Sequence, residues 1–381
     1  MDNIFKAESG HKNNFDFVRF ILAVLVVFSH CYVIYYGNVS EEPFEQLSKG
    51  QLALGTFAVN CFFIISGFLI TQSWERSENF LAYLKKRVLR IYPGFIVVCF
   101  AGAYIFAPLG LYVMRYPEYM VQYWSYIDVP DLILTTLRLG TPLLPATFKN
   151  MPWPNVVNGS LWSIPYEFVC YLIIPLLFFS KRKFTLWTVI IIAIGCNIYD
   201  YNIYHKSDLK EIWQHWFIPV DFQFFFNNVT IKVLLNFEHV VYPFIAGIFF
   251  YTYRNYIPSS IYLVILSIII LSITIYIGKY FEIMQPIFGS YLLFYFVFNP
   301  HITFHNFAKY GDFSYGVYLY GWPVQQLVTL YFGDTLTVWG IFFISMLFTL
   351  PLAALSWYFI EKPFLSLKKK KLKVVSLDVA S

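Results

Sequence analysis

Charge is scarce in this chain. Asp, Glu, Lys and Arg supply 13% of its 381 residues, too few to cover the surface of a soluble protein of that length. Cysteine is scarce as well. Cys31, Cys61, Cys99, Cys170 and Cys196 are scattered through apolar stretches without a CxxC pair, so they read as small buried residues and not as a disulfide set or a thiolate metal site. There is no P-loop and no GxGxxG run after a strand, and Ser66-Gly67 lacks the GxSxG frame of a nucleophile elbow. His301 and His305 have the i, i+4 spacing of helical metal ligands but no acidic ligand nearby, and no metal is expected. The first apolar stretch contains Arg19 and His30 and has no small-residue cleavage signature, which argues against a removable signal peptide. The net charge of +5 comes from Lys and Arg in short loops between apolar runs, so it indicates no nucleic-acid partner.

What the chain has instead is hydrophobic length. It is 58% hydrophobic and 22% aromatic, with 42 Phe and 31 Tyr, a composition suited to lipid-facing surfaces and interfacial aromatic belts. Ten segments approach the ~20 apolar residues that cross a bilayer: 17–36, 52–72, 90–108, 162–180, 184–200, 236–253, 260–277, 283–299, 312–332 and 339–360. The expected fold is therefore all-α, a polytopic membrane helix bundle of about ten transmembrane helices spanning residues 1–367. A basic cytoplasmic tail, 368–381, follows it. Placing the N-terminus inside puts most of the 27 Lys and Arg on the cytoplasmic side, so an N-in and C-in topology is expected. Two long outer connections, 109–161 and 201–235, are rich in aromatic residues and are expected to cover the bundle, with rings at the lipid interface or stacked on sugar faces.

Ionisable residues inside membrane helices are costly and mark sites of function. Arg19 and His30 lie eleven positions apart in the first segment, about 20° off one face and roughly 16 Å apart along the axis. Arg19 alone also fits a snorkelling interfacial anchor, and His30 a histidine bonded to a neighbouring helix. Glu167 is five residues into the fourth segment, and His30 six residues from the end of the first, so the topology predicts similar depths for the two. A histidine and a carboxylate at one depth suit a general base and its orienting partner. Arg87 and Arg90, at i and i+3 in Lys85-Lys86-Arg87-Val88-Leu89-Arg90, suit the phosphates of a ligand, but they equally suit ordinary positive-inside topology.

Six stretches together resemble one family. They are Asp16-Phe17-Val18-Arg19 with His30, Cys61 to Leu69, Arg87 to Pro93, Ser160 to Ser163 with Glu167, Ser314 to Leu319, and Phe359 to Phe364. In this order and register the chain resembles the acyltransferase-3 family of integral membrane O-acyltransferases along nearly its whole length. The resemblance implies a multi-pass protein of a bacterial-type inner or plasma membrane. It would transfer an acyl group, usually acetyl from acetyl-CoA, to a hydroxyl of an extracytoplasmic or lipid-linked carbohydrate. By position, His30 is implied as the catalytic residue with Arg19 its motif partner, Glu167 matches a family acidic position, and Arg87 and Arg90 are the CoA-side residues. One departure stands out: relatives often carry His where this chain has Gly321. The rival reading is a non-enzymatic exporter or flippase of a glycan or lipid-linked sugar, which would need no grip on CoA.

Overall fold

The computed structural model describes residues 13–112, 117–142, 144–145, 147–178 and 225–369. Among them there is helix and no strand. The helices longer than five residues are α1 (Phe15–Tyr36), α2 (Leu54–Glu75), α3 (Phe80–Leu111), α4 (Pro117–Tyr126), α5 (Val129–Leu137), α6 (Ile164–Leu177), α7 (Phe225–Thr252), α8 (Ile261–Ile277), α9 (Phe281–Phe298), α10 (Ser314–Phe332) and α11 (Val338–Ser366). Six are long and apolar enough to cross a membrane: α1, α2, α3, α9, α11, and α6 with its preceding turn from Gly159. The chain is thus a helical multi-pass membrane protein. Each predicted segment except the fifth falls on one of these helices. The fifth, 184–200, lies outside the described residues, as do most of the 201–235 connection and the tail beyond Lys369. His301 and His305 stand in an irregular loop, not on a helix, so their spacing does not align them on one face.

α1 is central because its neighbours enclose it. It packs against α2, α10 and α11, and its start is tied to the end of α9. Asn14 donates to the carbonyls of Phe296 and Ile302 and accepts from the Phe304 amide at 2.9 Å. Gly37 ends α1 in the left-handed conformation, φ 79°, which favours glycine. α2 and α7 approach backbone to backbone. A Cβ on Gly67 would strike the Phe244 carbonyl, and one on Gly247 the Ile64 carbonyl. Gly67 therefore serves close helix packing, as small residues do between membrane helices.

The first long connection does not simply cover the bundle. α4 and α5 run back along α3: Tyr123 Oη donates to the Ala103 carbonyl at 2.6 Å, and Tyr92 Oη to the Leu137 carbonyl at 3.0 Å. The chain then returns, bringing the Phe148 ring 2.8 Å from where a Gly110 Cβ would lie. Residues 153–158 enter the bundle between α1 and α10. Trp153 Nε1 donates to the Val33 carbonyl at 2.7 Å, and Asn158 Nδ2 to the Leu319 carbonyl at 2.8 Å. α6 consequently begins beside the second turn of α10, where Ser163 Oγ meets Tyr318 Oη.

Candidate active site

Arg19 from α1, Arg87 and Arg90 from α3, and Glu167 and Tyr171 from α6 line one cavity of about 140 Å³. Ser66 of α2 and Ser163, Ser314, Tyr315 and Tyr318 add hydroxyls to its wall. The two sequence stretches around Arg19 and Arg87 thus converge, and the reason is Asp312. This carboxylate, just before α10, lies 3.2 Å from Arg19 Nη2 and 2.7 Å from Arg90 Nη2. Burial alone would raise its pKa, but Arg19 and Arg90, with a bond from Ser314, hold the carboxyl well below the usual range. Arg19 also pairs with Asp16 one turn earlier.

Arg87 is held differently. Its guanidinium lies against the rings of Tyr83 and Tyr171, with centroids 5.9 and 5.8 Å away, and donates to Ser73 Oγ at 3.2 Å. The Nε donors of Arg19 and Arg87 are buried and unpartnered. Three guanidiniums with two free donors beside one cavity have the chemistry to accept a polyanion.

Glu167 belongs to this end of the site. It accepts from Tyr171 Oη and from Ser66 Oγ, the latter at 3.3 Å. Tyr171 is in turn fixed to α3 by Tyr83 Oη, 2.8 Å from its carbonyl. No hydrogen bond joins Glu167 to His30 among the described residues. The expectation of equal depth assumed that Trp162 stood at the membrane surface. The preceding loop has already descended, and a 3₁₀ turn, Gly159–Ser163, leads into α6, so Glu167 lies roughly 14 Å nearer the arginine end than Gly159 does.

His30 stands apart from the cavity lining. Its ring meets Trp322 edge to face, with centroids 4.8 Å apart, and its Nδ1 is buried without a partner. Trp322 in turn covers Gly159, where a Cβ would come within 2.7 Å of the indole. Tyr318 lines the cavity, and Trp322 follows it by one turn of α10, about 6 Å. Ser163 Oγ and Tyr318 Oη, 2.6 Å apart, mark the cavity end that faces Trp322. The site therefore has two parts, an arginine-lined cavity and an imidazole one helical turn beyond it. Gly321 lies where α10 touches α1: a Cβ there would come 2.6 Å from Val27 Cγ2, so the close helix contact leaves no room for a histidine.

Sequence reasoning missed Asp312, Tyr171, Trp322 and Glu361. Asp312 precedes the Ser314 to Leu319 stretch by two residues, and its signal was an acid at a helix start in a chain poor in acids. Tyr171 is one turn from Glu167. Glu361 was within a recognised stretch but had no role; it is buried in the π turn Trp357–Glu361 and accepts from Ser356 Oγ at 3.0 Å. The turn Leu367–Lys369 that follows α11 packs on α3, where burial and then Arg87, Arg90, Lys86 and Arg19 pull the Lys368 ammonium pKa down to about 7.

Comparison with known proteins agrees along the whole length. A family model described as "Acyltransferase domain" matches residues 12–358. An "O-acetyl transferase" of Shigella phage Sf6 is 27% identical over 374 residues, covering 96% of this chain and 99% of the relative. "Nodulation protein 10" of Rhizobium leguminosarum bv. viciae is 26% identical, covering 94% and 95%. "Acyltransferase MdmB" of Streptomyces mycarofaciens is 27% identical over 56% of this chain and 55% of its own. No solved structure matches the chain. With a matching model over nearly all its length and buried ionisable residues gathered where that family's motifs lie, the chain belongs to the acyltransferase-3 family.

Proposed function

We propose that this protein is a membrane O-acetyltransferase that draws acetyl groups from cytoplasmic acetyl-CoA and esterifies a carbohydrate hydroxyl on the other side of a bacterial-type inner membrane. The observation that carries this reading is the arrangement along α1 and α10: a guanidinium cavity with unpartnered donors, then an imidazole one turn farther on. In this mechanism Arg87 and Arg90 hold the CoA phosphates, with Arg19 beside them, and the pantetheine arm runs past Tyr318 towards His30. His30 takes the proton from the acceptor hydroxyl as its oxygen attacks the thioester carbonyl. The carbon–sulfur bond then breaks, and the leaving thiolate takes up a proton from the imidazolium. Glu167, bonded to Tyr171 and Ser66, shapes the donor's path and does not orient the imidazole. Between the arginines and His30 the acetyl end travels, while the charged nucleotide end stays near the cytoplasm, since phosphates do not enter an apolar interior unpaired.

The N-in orientation follows from the distribution of Lys and Arg. The names of the relatives, an "O-acetyl transferase" and an "Acyltransferase", support acetyl transfer over export. Incubating the purified protein with acetyl-labelled CoA separates the two: an O-acetyltransferase binds and slowly consumes the donor, whereas an exporter of a glycan or lipid-linked sugar does neither.

A further inference from the structure

Trp322 and Ser160 are buried, 2% and 1% exposed, and their side-chain polar atoms, Nε1 and Oγ, have no hydrogen-bond partner among the described residues. Ser160 adjoins Gly159, whose missing Cβ would lie 2.7 Å from the Trp322 indole. Hydrogen bonds lock the turn that carries Ser160 to the turn of α10 that leads to Trp322. Pro323 has no N–H, so the Leu319 carbonyl loses its helical donor, and Asn158 Nδ2 takes that place at 2.8 Å. Asn158 Oδ1 also accepts from the Ser160 amide at 3.1 Å, and Tyr318 Oη donates to the Ser160 carbonyl at 2.7 Å. The residues packed around the indole include Val33, Ile34, Met151 and Val156, whose side chains have no oxygen to accept from it. A buried N–H without an acceptor costs free energy, and few native groups are left so. The indole lies against the His30 ring, with centroids 4.8 Å apart, one turn beyond the cavity end marked by Ser163 and Tyr318.

We infer that the Trp322 N–H and the Ser160 O–H form the oxyanion-binding pair of the transfer. The inference rests on the reading above, with His30 as the base. As the acceptor oxygen adds to the thioester carbonyl, a carbon–oxygen bond forms and the carbonyl π pair moves onto its own oxygen. That oxygen becomes an alkoxide, and it accepts from the two donors that the protein leaves unpartnered. When the carbon–sulfur bond breaks, the pair returns to re-form the carbonyl of the new ester. Neither donor gives up its proton. Donors fixed in apolar surroundings stabilise developing charge more than donors in water, because they need no reorganisation as it forms. Trp322 and Ser160 meet the reacting carbonyl, whereas Arg87 and Arg90 meet the nucleotide end. Their loss should therefore lower turnover and spare donor affinity.

The test compares wild type with Trp322→Phe, Trp322→benzothienylalanine and Ser160→Ala, each as the purified full chain in detergent. Benzothienylalanine keeps the fused ring and replaces only the N–H, by sulfur. Acetyl-CoA affinity is measured by calorimetry, and kcat by consumption of acetyl-labelled donor across a range of pH. Removing one oxyanion donor costs about 10²–10³-fold in kcat, so both Trp322 variants should slow by roughly 100-fold or more, with Kd within about twofold of wild type. Ser160→Ala should slow by at least about tenfold, again with donor affinity kept. The benzothienylalanine variant should keep the wild-type pH midpoint of kcat, since His30 remains in place as the base. The inference is overturned if that variant turns over within about threefold of wild type while Trp322→Phe is slow, because ring packing is then the cause. A shifted pH midpoint in it would make Trp322 a positioning residue for His30, and overturns the inference too. Wild-type turnover by Ser160→Ala overturns the pairing. A monodisperse wild type that fails to bind or to consume acetyl-CoA removes the transfer reading itself, and this inference with it.

Discussion

Asp312 joins two arginines from different helices, and replacing it tests whether the cluster is held by charge. Asp312 is 7% exposed, with its carboxylate 2.7 Å from Arg90 and 3.2 Å from Arg19. Asp312→Asn keeps the volume and one acceptor oxygen but removes the charge, leaving two buried guanidiniums facing each other. Removing one partner of a buried pair costs about 3–5 kcal/mol. The retained amide oxygen still accepts one bond, so a loss near the lower end, about 3 kcal/mol, is expected. The assay is heating in detergent followed by size-exclusion detection of the surviving fraction, with and without acetyl-CoA. The variant should lose its monodisperse peak at a lower temperature, and saturating donor should protect it more than wild type, because phosphates replace the missing carboxylate. The pH dependence has a definite sign. A carboxyl held below its unfolded pKa stabilises above the unfolded value and ceases to do so as the pH falls through the folded one. The difference between variant and wild type should therefore stay level from pH 5 to 8. If Asp312→Asn is as heat-resistant as wild type and gains no extra protection from the donor, charge does not hold this cluster.

Further outcomes follow from the same geometry. Arg87→Ala with Arg90→Ala should weaken acetyl-CoA binding in the calorimeter, and the Lys pair should recover only part of it, since an ammonium does not reproduce a guanidinium fork. Gly159→Ala should push the Trp322 indole against His30, lowering turnover of labelled donor while leaving donor affinity near wild type. Gly67→Trp should impair α2–α7 packing, read as loss of the monodisperse peak, and not a selective block of transfer. Single cysteines replacing Glu41 and Glu78, in a chain lacking the native cysteines, should label from outside intact cells at 41 and be protected at 78; the reverse would place the arginines outside.

Much of the fold was legible because membrane helices must satisfy their backbone internally, so apolar length alone locates them. The pairing of Arg19 with the Arg87 stretch was legible only as a shared motif set. What brings them together, Asp312, is distant in sequence from both and belongs to a loop, where no periodicity constrains a residue. Glu167 was misplaced in depth for a related reason. Helical rise can be counted within α6, but the descent of residues 153–158 depends on side-chain bonds from Trp153, Asn158 and Gln326 to backbone carbonyls. Such contacts leave no pattern in hydropathy. The return of α4 and α5 along α3 was hidden likewise, since short amphipathic helices read like loops at an interface. Gly321 illustrates the opposite case: the sequence showed that it departs from the family, and only the 2.6 Å approach to Val27 supplied the reason.

The central claim is that His30 is the base of an acetyl transfer to a surface carbohydrate. NMR of surface glycans from cells producing either wild type or His30→Ala, at matched membrane levels, tests it most directly. Loss of a general base typically slows a reaction ~10²–10⁴-fold, so one O-acetyl ester present with wild type should vanish with His30→Ala. The same ester at the same occupancy in both samples would contradict the account.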